Sequence, residues 1–232
     1  LGLCALSATA QQAPGAASPT PAEVFFKQPQ ILEAALSPSG RKLAVTTSQG
    51  ANRVGLAVFD LDTGKPPVRA AWFSDIDIHD FHWVNEERIV FGVIDLKEGS
   101  GFTRGGGSGL YSVGADGSEL RQLIERRHHW VVEPRIGQKA LNARHDLLRV
   151  LWPKGGSPSE EVVVGAERYG TSGVLEQLAP LWLNVRTGRT RTLETDAPAH
   201  TVGWMFDTSG EPRVAFTRHE GRRAVHWRGP GQ

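Results

Sequence analysis

The chain has 232 residues, 39% of them hydrophobic and 22% charged, with 26 Lys and Arg against 25 Asp and Glu. That balance gives no general electrostatic reason to bind nucleic acid or an anionic membrane surface, and beyond the first residues no apolar run is long enough to span a bilayer. The 27 glycines and 14 prolines, with no helical heptads, point to a protein of many turns.

The N-terminal stretch LGLCALSATA is apolar, and QQAPGAASPTP after it is polar and rich in Pro, Ala and Ser. It reads as the end of a secretory signal peptide, residues 1–10, cleaved after Ala8-Thr9-Ala10, followed by a disordered linker over 11–21. Two other readings stand beside it: an apolar disordered terminus, and a lipoprotein signal using Cys4, against which Leu3 is bulky. Cys4 is the only cysteine. Cleavage therefore removes disulfides, thiolate catalysis and cysteine-metal sites together.

From residue 22 a pattern begins to repeat. In ALSPSGRKLAVTT the turn Ser37-Pro38-Ser39-Gly40 separates two short apolar runs, and Leu43, Val45 and Thr47 alternate as in a half-buried strand. FHWVNEERIVFGVID repeats this around Asn85-Glu86-Glu87, NARHDLLRVLW around His145-Asp146, and GWMFDTSGEPRVAF around Asp207-Thr208-Ser209-Gly210. The spacings from Gly40 to Glu87 to Asp146 to Gly210 are 47, 59 and 64 residues. A second feature follows the first three times. GLAVFDLDTGK, GLYSVGADGSELRQL and PLWLNVRTGRTRTL each place a glycine (Gly64, Gly117, Gly188) between two strand patterns, where a tight turn needs positive φ.

Each unit thus holds about four strands in up-and-down order, at the length of a propeller blade. KEGSGFTRGGGSG and KGGSPSEE supply the insertions that the longer spacings require. The expected fold is all-β, a partial β-propeller of about four four-stranded antiparallel blades over residues 22–232, preceded by a short helix. An irregular β-sandwich also places turns this often. The conserved order of turn, strand, glycine turn, strand and the recurrence of Trp83 and Trp204 near first strands favour the propeller.

AEVFFKQPQILEAALSPSGRKLAV, with Phe25-Phe26, a proline and then L-S-P-x-G-x-x-L-A, resembles the start of the propeller domain of the prolyl oligopeptidase family of serine peptidases, in its bacterial acylaminoacyl-peptidase-like branch. IHDFHWVNEERIVFGV resembles that branch's second blade and FDTSGEPRVAFTRHEG its D-x-x-G-x-x-R-x-A blade start. S-P-x-G-x-x-L-A also occurs in TolB-like propellers, so the combination and order carry the resemblance. It implies a secreted or periplasmic peptidase whose propeller filters peptide substrates for an α/β-hydrolase domain with a Ser-Asp-His triad. No G-x-S-x-G is present in the chain. The nearest strings are Gly105-Gly106-Gly107-Ser108-Gly109, which runs on into Leu110, and Gly170-Thr171-Ser172-Gly173, which is out of frame for a nucleophile elbow. The hydrolase domain is therefore expected downstream, and the chain as a fragment of a longer protein. The alternative is a non-enzymatic TolB-like propeller that binds other proteins.

Four local constellations remain. Asp75, Asp77, His79, Asp80 and His82 fall within nine residues. On a strand Asp75, Asp77 and His79 would share a face, a possible divalent site. A loop between blades, with carboxylates solvated or capping turns, is the commoner outcome. His128-His129 beside Trp130 has no partner spaced for a metal. Dipeptidyl-peptidase relatives hold a substrate's amino terminus with paired glutamates on a short propeller helix, but Glu160-Glu161 precedes the strand pattern VVVG without that helix signature, and the role is not carried over. The glycine cluster after Arg104 lacks the Lys-Ser/Thr of a phosphate loop and reads as a flexible insertion. Arg126-Arg127 and Arg222-Arg223 read as solvated loops. No catalytic, metal or cofactor residue is expected in the chain, and no nucleic-acid partner.

Overall fold

The computed structural model describes residues 30–48, 51–97, 109–126, 140–151 and 159–229. The anticipated signal remnant, the linker, the short helix, most of the glycine insertion and His128-His129 lie outside them. The described residues are all-β and contain no helix.

Among the described residues fifteen strands form four antiparallel sheets in strict chain order. The first sheet is β1 (Ile31–Leu36), β2 (Lys42–Thr47), β3 (Gly55–Asp60) and β4 (Val68–Ala71). The second is β5 (Asp77–Trp83), β6 (Arg88–Ile94), β7 (Leu110–Gly114) and β8 (Arg121–Ile124). The third is β9 (His145–Val150), β10 (Glu161–Tyr169), β11 (Leu175–Asn184) and β12 (Thr190–Thr192). The fourth has three strands, β13 (Thr201–Phe206), β14 (Pro212–His219) and β15 (Arg222–Trp227). Every neighbouring pair within a sheet is consecutive in sequence, which is the up-and-down order of propeller blades.

The expected turn glycines sit at strand connections. Gly40, Gly64, Gly117, Gly188 and Gly210 all have positive φ, between 62° and 85°. Gly210 has a second reason to lack a side chain, because an added Cβ would lie 2.7 Å from Leu151 and 2.8 Å from Trp182 of the third sheet. One expected turn is misplaced. His145-Asp146 lies inside β9, and the β9–β10 connection falls after Val150, where the KGGSPSEE insertion stands. Short polar residues in a half-exposed edge strand look like a turn when read along the sequence alone.

Strand alternation divides the apolar residues between successive junctions. On β6, Ile89, Phe91 and Val93 pack toward the first sheet with Ala44, Leu56 and Val58, while Val90 faces the third with Val162 and Val164. On β10 and β11, Val163 and Trp182 turn the other way, toward Leu151 and Phe206. Each inner sheet therefore buries both faces, as near-continuous apolar strands must. The two recurring tryptophans reinforce the stack. Trp83 Nε1 donates to the Ala35 carbonyl of the first sheet at 3.1 Å, and Trp204 Nε1 to the Leu178 carbonyl of the third at 2.7 Å.

Candidate functional site

The acidic run on β5 does not assemble a metal site. Asp77 is buried at 3% exposure, and its carboxylate accepts the backbone N–H of Val54 at 2.7 Å and of Leu96 at 3.0 Å. The Arg53 guanidinium, 2.8 Å away, completes its shell and also pairs with Asp95. Asp77 thus fastens the start of β3 to both ends of the β5–β6 hairpin, with three donors on its carboxylate. Asp80 sits at the β-bulge between His79 and His82 with φ of 51°. Its carboxyl is held below the usual range by a hydrogen bond from His82, and its own N–H is accepted by Glu33 of the first sheet at 3.0 Å. Among the described residues no three His, Cys, Asp or Glu side chains are grouped to hold a metal ion.

Gly170-Thr171-Ser172-Gly173 forms the β10–β11 hairpin turn, closed by Gly170 N–H to the Val174 carbonyl at 2.9 Å and Gly173 N–H to Gly170 at 3.0 Å. A hairpin cannot give the strained strand-to-helix corner that exposes a catalytic serine. Among the described residues no serine hydroxyl is hydrogen-bonded to a histidine. His82 faces Asp80, His145 faces Asn142, His219 faces Glu220 and His226 faces Thr217.

The two glutamates Glu160 and Glu161 are split in purpose. Glu161 opens β10 and takes a two-point contact from Arg191 at 3.0 and 2.8 Å, which holds its carboxyl below the ordinary value. Arg191 in turn lies 4.7 Å over the Trp182 ring. Glu160 points the other way and accepts Arg186 Nε at 2.6 Å.

That second contact belongs to a group the sequence does not announce. A polar cavity of about 400 Å³ opens where the turns of the first three sheets meet, lined by Lys42, Glu87, Arg88, Asp116, Glu119 and Arg186, among others. Arg88 is 3% exposed, and among the described residues its guanidinium is met by one carboxylate, Glu119. Glu119 also accepts Arg186 Nη1 at 2.9 Å. The result is a chain of alternating charges, Arg88, Glu119, Arg186 and Glu160, tying the second sheet to the third. Glu119 carries a positive φ of 51°, a conformation disfavoured for a non-glycine residue, which brings both its carboxylate and its carbonyl to Arg88. The hydrogen bond from Arg88, with Arg186 nearby, keeps the Glu119 carboxyl below its normal range. Among the described residues Arg88 Nε has no hydrogen-bond partner. The cavity walls hold three cations and three acids, with Ser118 beside Asp116, and their ion pairs order the turns. The nearest sequence signal was Arg88 opening the apolar run RIVFGV; nothing local marks Glu119 or Arg186.

The fourth sheet starts on a tighter motif. Asp207 accepts the N–H groups of Ser209 and Glu211 and the Ser209 hydroxyl, and pairs with Arg213 at 2.8 Å. This gives D-x-S-G-x-x-R a physical reason: the carboxylate shapes the turn and the arginine locks it. The Ser209 hydroxyl, then Arg213, press the Asp207 carboxyl well below the usual carboxylate range. Arg222-Arg223, expected on a loop, instead begin strand β15, because the reversal is made just before them by Glu220 and Gly221, both at positive φ.

No family model matches the chain, and no curated protein matches it. Two solved structures similar to it are both peptidases. One is a Mycobacterium tuberculosis puromycin-hydrolyzing peptidase, 15% identical with a TM-score of 0.37 over 84% of this chain and 28% of the other. The second is a Pyrococcus horikoshii acylaminoacyl peptidase, 14% identical with a TM-score of 0.45 over 86% of this chain and 30% of the other. The chain spans less than a third of the length of either.

Proposed function

We propose that the chain is the substrate-gating propeller region of a secreted or periplasmic serine peptidase of the prolyl oligopeptidase type, in which peptide hydrolysis belongs to a separate α/β-hydrolase domain. The observation that carries this reading is the placement of the two blade-start motifs. Ser37-Pro38-Ser39-Gly40 and Asp207-Thr208-Ser209-Gly210 occupy equivalent positions, the first hairpin of the first and fourth sheets, each ending in a glycine at positive φ. Between them the sheets follow one another blade by blade. In this reading the stacked sheets serve as a wall that admits or excludes substrates.

The test is the gene that encodes the chain, read onward from the codon for Gln232, followed by expression of its whole product. The reading expects an α/β-hydrolase domain with G-x-S-x-G, and cleavage of short peptides with intact proteins spared. Further blades and no hydrolase domain would instead favour the TolB-like protein binder. The isolated chain is expected to leave aminoacyl and peptidyl chromogenic substrates unhydrolysed.

A further inference from the structure

The polar cavity at the turns of the first three sheets, with about 400 Å³ of space, is within the size range of small-molecule pockets. All of its walls precede the fourth sheet: Lys42 opens β2, Glu87 and Arg88 lie at the start of β6, Asp116 and Glu119 between β7 and β8, and Arg186 between β11 and β12. Glu119 is shared by Arg88 and Arg186, and Arg186 also reaches Glu160. The remaining wall charges are not matched in this way. The Lys42 ammonium donates to the Glu86 carbonyl at 2.9 Å, and among the described residues it is in a direct ion pair with no carboxylate. The Asp116 carboxylate accepts the Ser118 N–H at 2.9 Å, and neither it nor Glu87 is in a direct ion pair with a described cation. Arg88, 3% exposed, keeps Nε without an acceptor among the described residues.

A buried guanidinium short of acceptors is costly, and it marks a place where a group with lone pairs belongs. The fold already shows what the site does with a carboxylate: Glu119, held at a positive φ of 51°, is clasped by guanidinium groups from two sides. The signs on the walls then select the ligand. A phosphate dianion would face Glu87, Asp116 and Glu119, and a polyamine would face Lys42, Arg88 and Arg186. A molecule carrying one charge of each sign meets a partner for both.

We propose that this cavity binds a small zwitterion, a free α-amino acid or a short peptide with both ends free. The ligand carboxylate lies against Lys42 and Arg88, and its ammonium group against Glu87 and Asp116. The two sources share that chemistry. The site needs no hydrolase domain, so it stands or falls apart from the gating reading.

The test uses the whole product of the gene, with any hydrolase site blocked by a serine-directed inhibitor, and isothermal titration calorimetry with L-alanine and L-alanyl-L-alanine. Saturable binding of at least one is expected, and the tighter of the two identifies the source. Lys42→Met and Glu87→Gln, each removing one sign of charge, should weaken it about tenfold or more, while Lys65→Met, outside the cavity walls, leaves it unchanged. N-acetyl-L-alanine lacks the ammonium group and L-alanine amide the carboxylate, and each should bind the parent about tenfold more weakly or worse. Circular dichroism melts check the variants; if either fails to fold, the comparison of these two analogues on the parent protein decides alone. Absence of saturable binding of both zwitterions overturns the proposal, as does equal binding of either analogue. Unchanged affinity in folded Lys42→Met and Glu87→Gln variants overturns it too, because the ligand then sits elsewhere. Inorganic phosphate that binds more tightly than the zwitterion and displaces it would make the cavity an oxyanion pocket and end the reading.

Discussion

The second and fourth sheets are built from the same plan and end in opposite states. On β6 every residue from Arg88 to Val93 is buried; on β15 every residue is exposed. The second sheet has a neighbour on each face, and its strands divide their side chains between two large clusters. Among the described residues the fourth packs on the third, through a cluster whose buried members are Leu151, Val163 and Trp182. Cavities of about 310 and 340 Å³ flank the segment that links these two sheets. In a stack where each sheet contacts only the next, stability is a sum of sheet and junction contributions. The number of packed faces, more than the strand sequences, therefore decides which part is rigid.

The widest contrast is expected from truncating one apolar side chain in each place. Phe91 is fully buried and stacks on Tyr111 with centroids 5.6 Å apart. Phe91→Ala should cost about 3 to 5 kcal/mol. Met205→Ala on the open face should stay within about 0.5 kcal/mol. Urea melts of the two variants measure the difference, and similar losses would break the comparison.

Next comes the buried carboxylate. Asp77→Ala strands the Arg53 guanidinium beside Asp95 and two backbone donors, with an expected loss of about 3 kcal/mol. If the role is anchoring, added calcium or zinc leaves the melting temperature of the parent chain unchanged; a metal-dependent rise would revive the cation reading.

A smaller effect separates two turns of the same kind. Gly40→Ala meets no atom within 4 Å and incurs only the left-handed backbone cost of about 1 to 2 kcal/mol. Gly210→Ala adds a collision with Leu151 and Trp182, a further 1 to 3 kcal/mol or about that. Equal destabilisation would mean that the third and fourth sheets already yield to one another.

The smallest effect is on acid stability. Asp207 has a folded-state pKa below its unfolded value of about 3.8. Its contribution is complete above that value and is lost as the pH falls toward the folded pKa. Asp207→Asn should therefore flatten the decline of stability below about pH 4 without steepening it. A variant whose acid limb matches the parent's would assign that limb to other carboxylates.

The turns were legible in the sequence because their chemistry is local. Gly40, Gly64, Gly117, Gly188 and Gly210 stand where the chain must enter positive φ, and no neighbour is needed to see it. The up-and-down order followed from those turns. The third hairpin was not legible, since His145-Asp146 carries turn-type residues inside an edge strand. The partners of Asp77 come from residues 54 and 96, and those of Glu119 from residues 88 and 186. Such contacts exist only after the sheets stack. The exposure of Arg222 and Arg223 on a strand depended likewise on a reversal built by Glu220, a residue type with no preference for positive φ.

Hydrogen exchange followed by mass spectrometry tests most directly the claim that rigidity follows the number of packed faces. Amide protection should be highest in β6 and β7, intermediate in β2, β3, β10 and β11, and lowest in β14 and β15, with the fourth sheet opening below the global unfolding free energy. Protection of β14 and β15 equal to that of β6 would contradict the account, because it would mean that the fourth sheet is packed as tightly as the second.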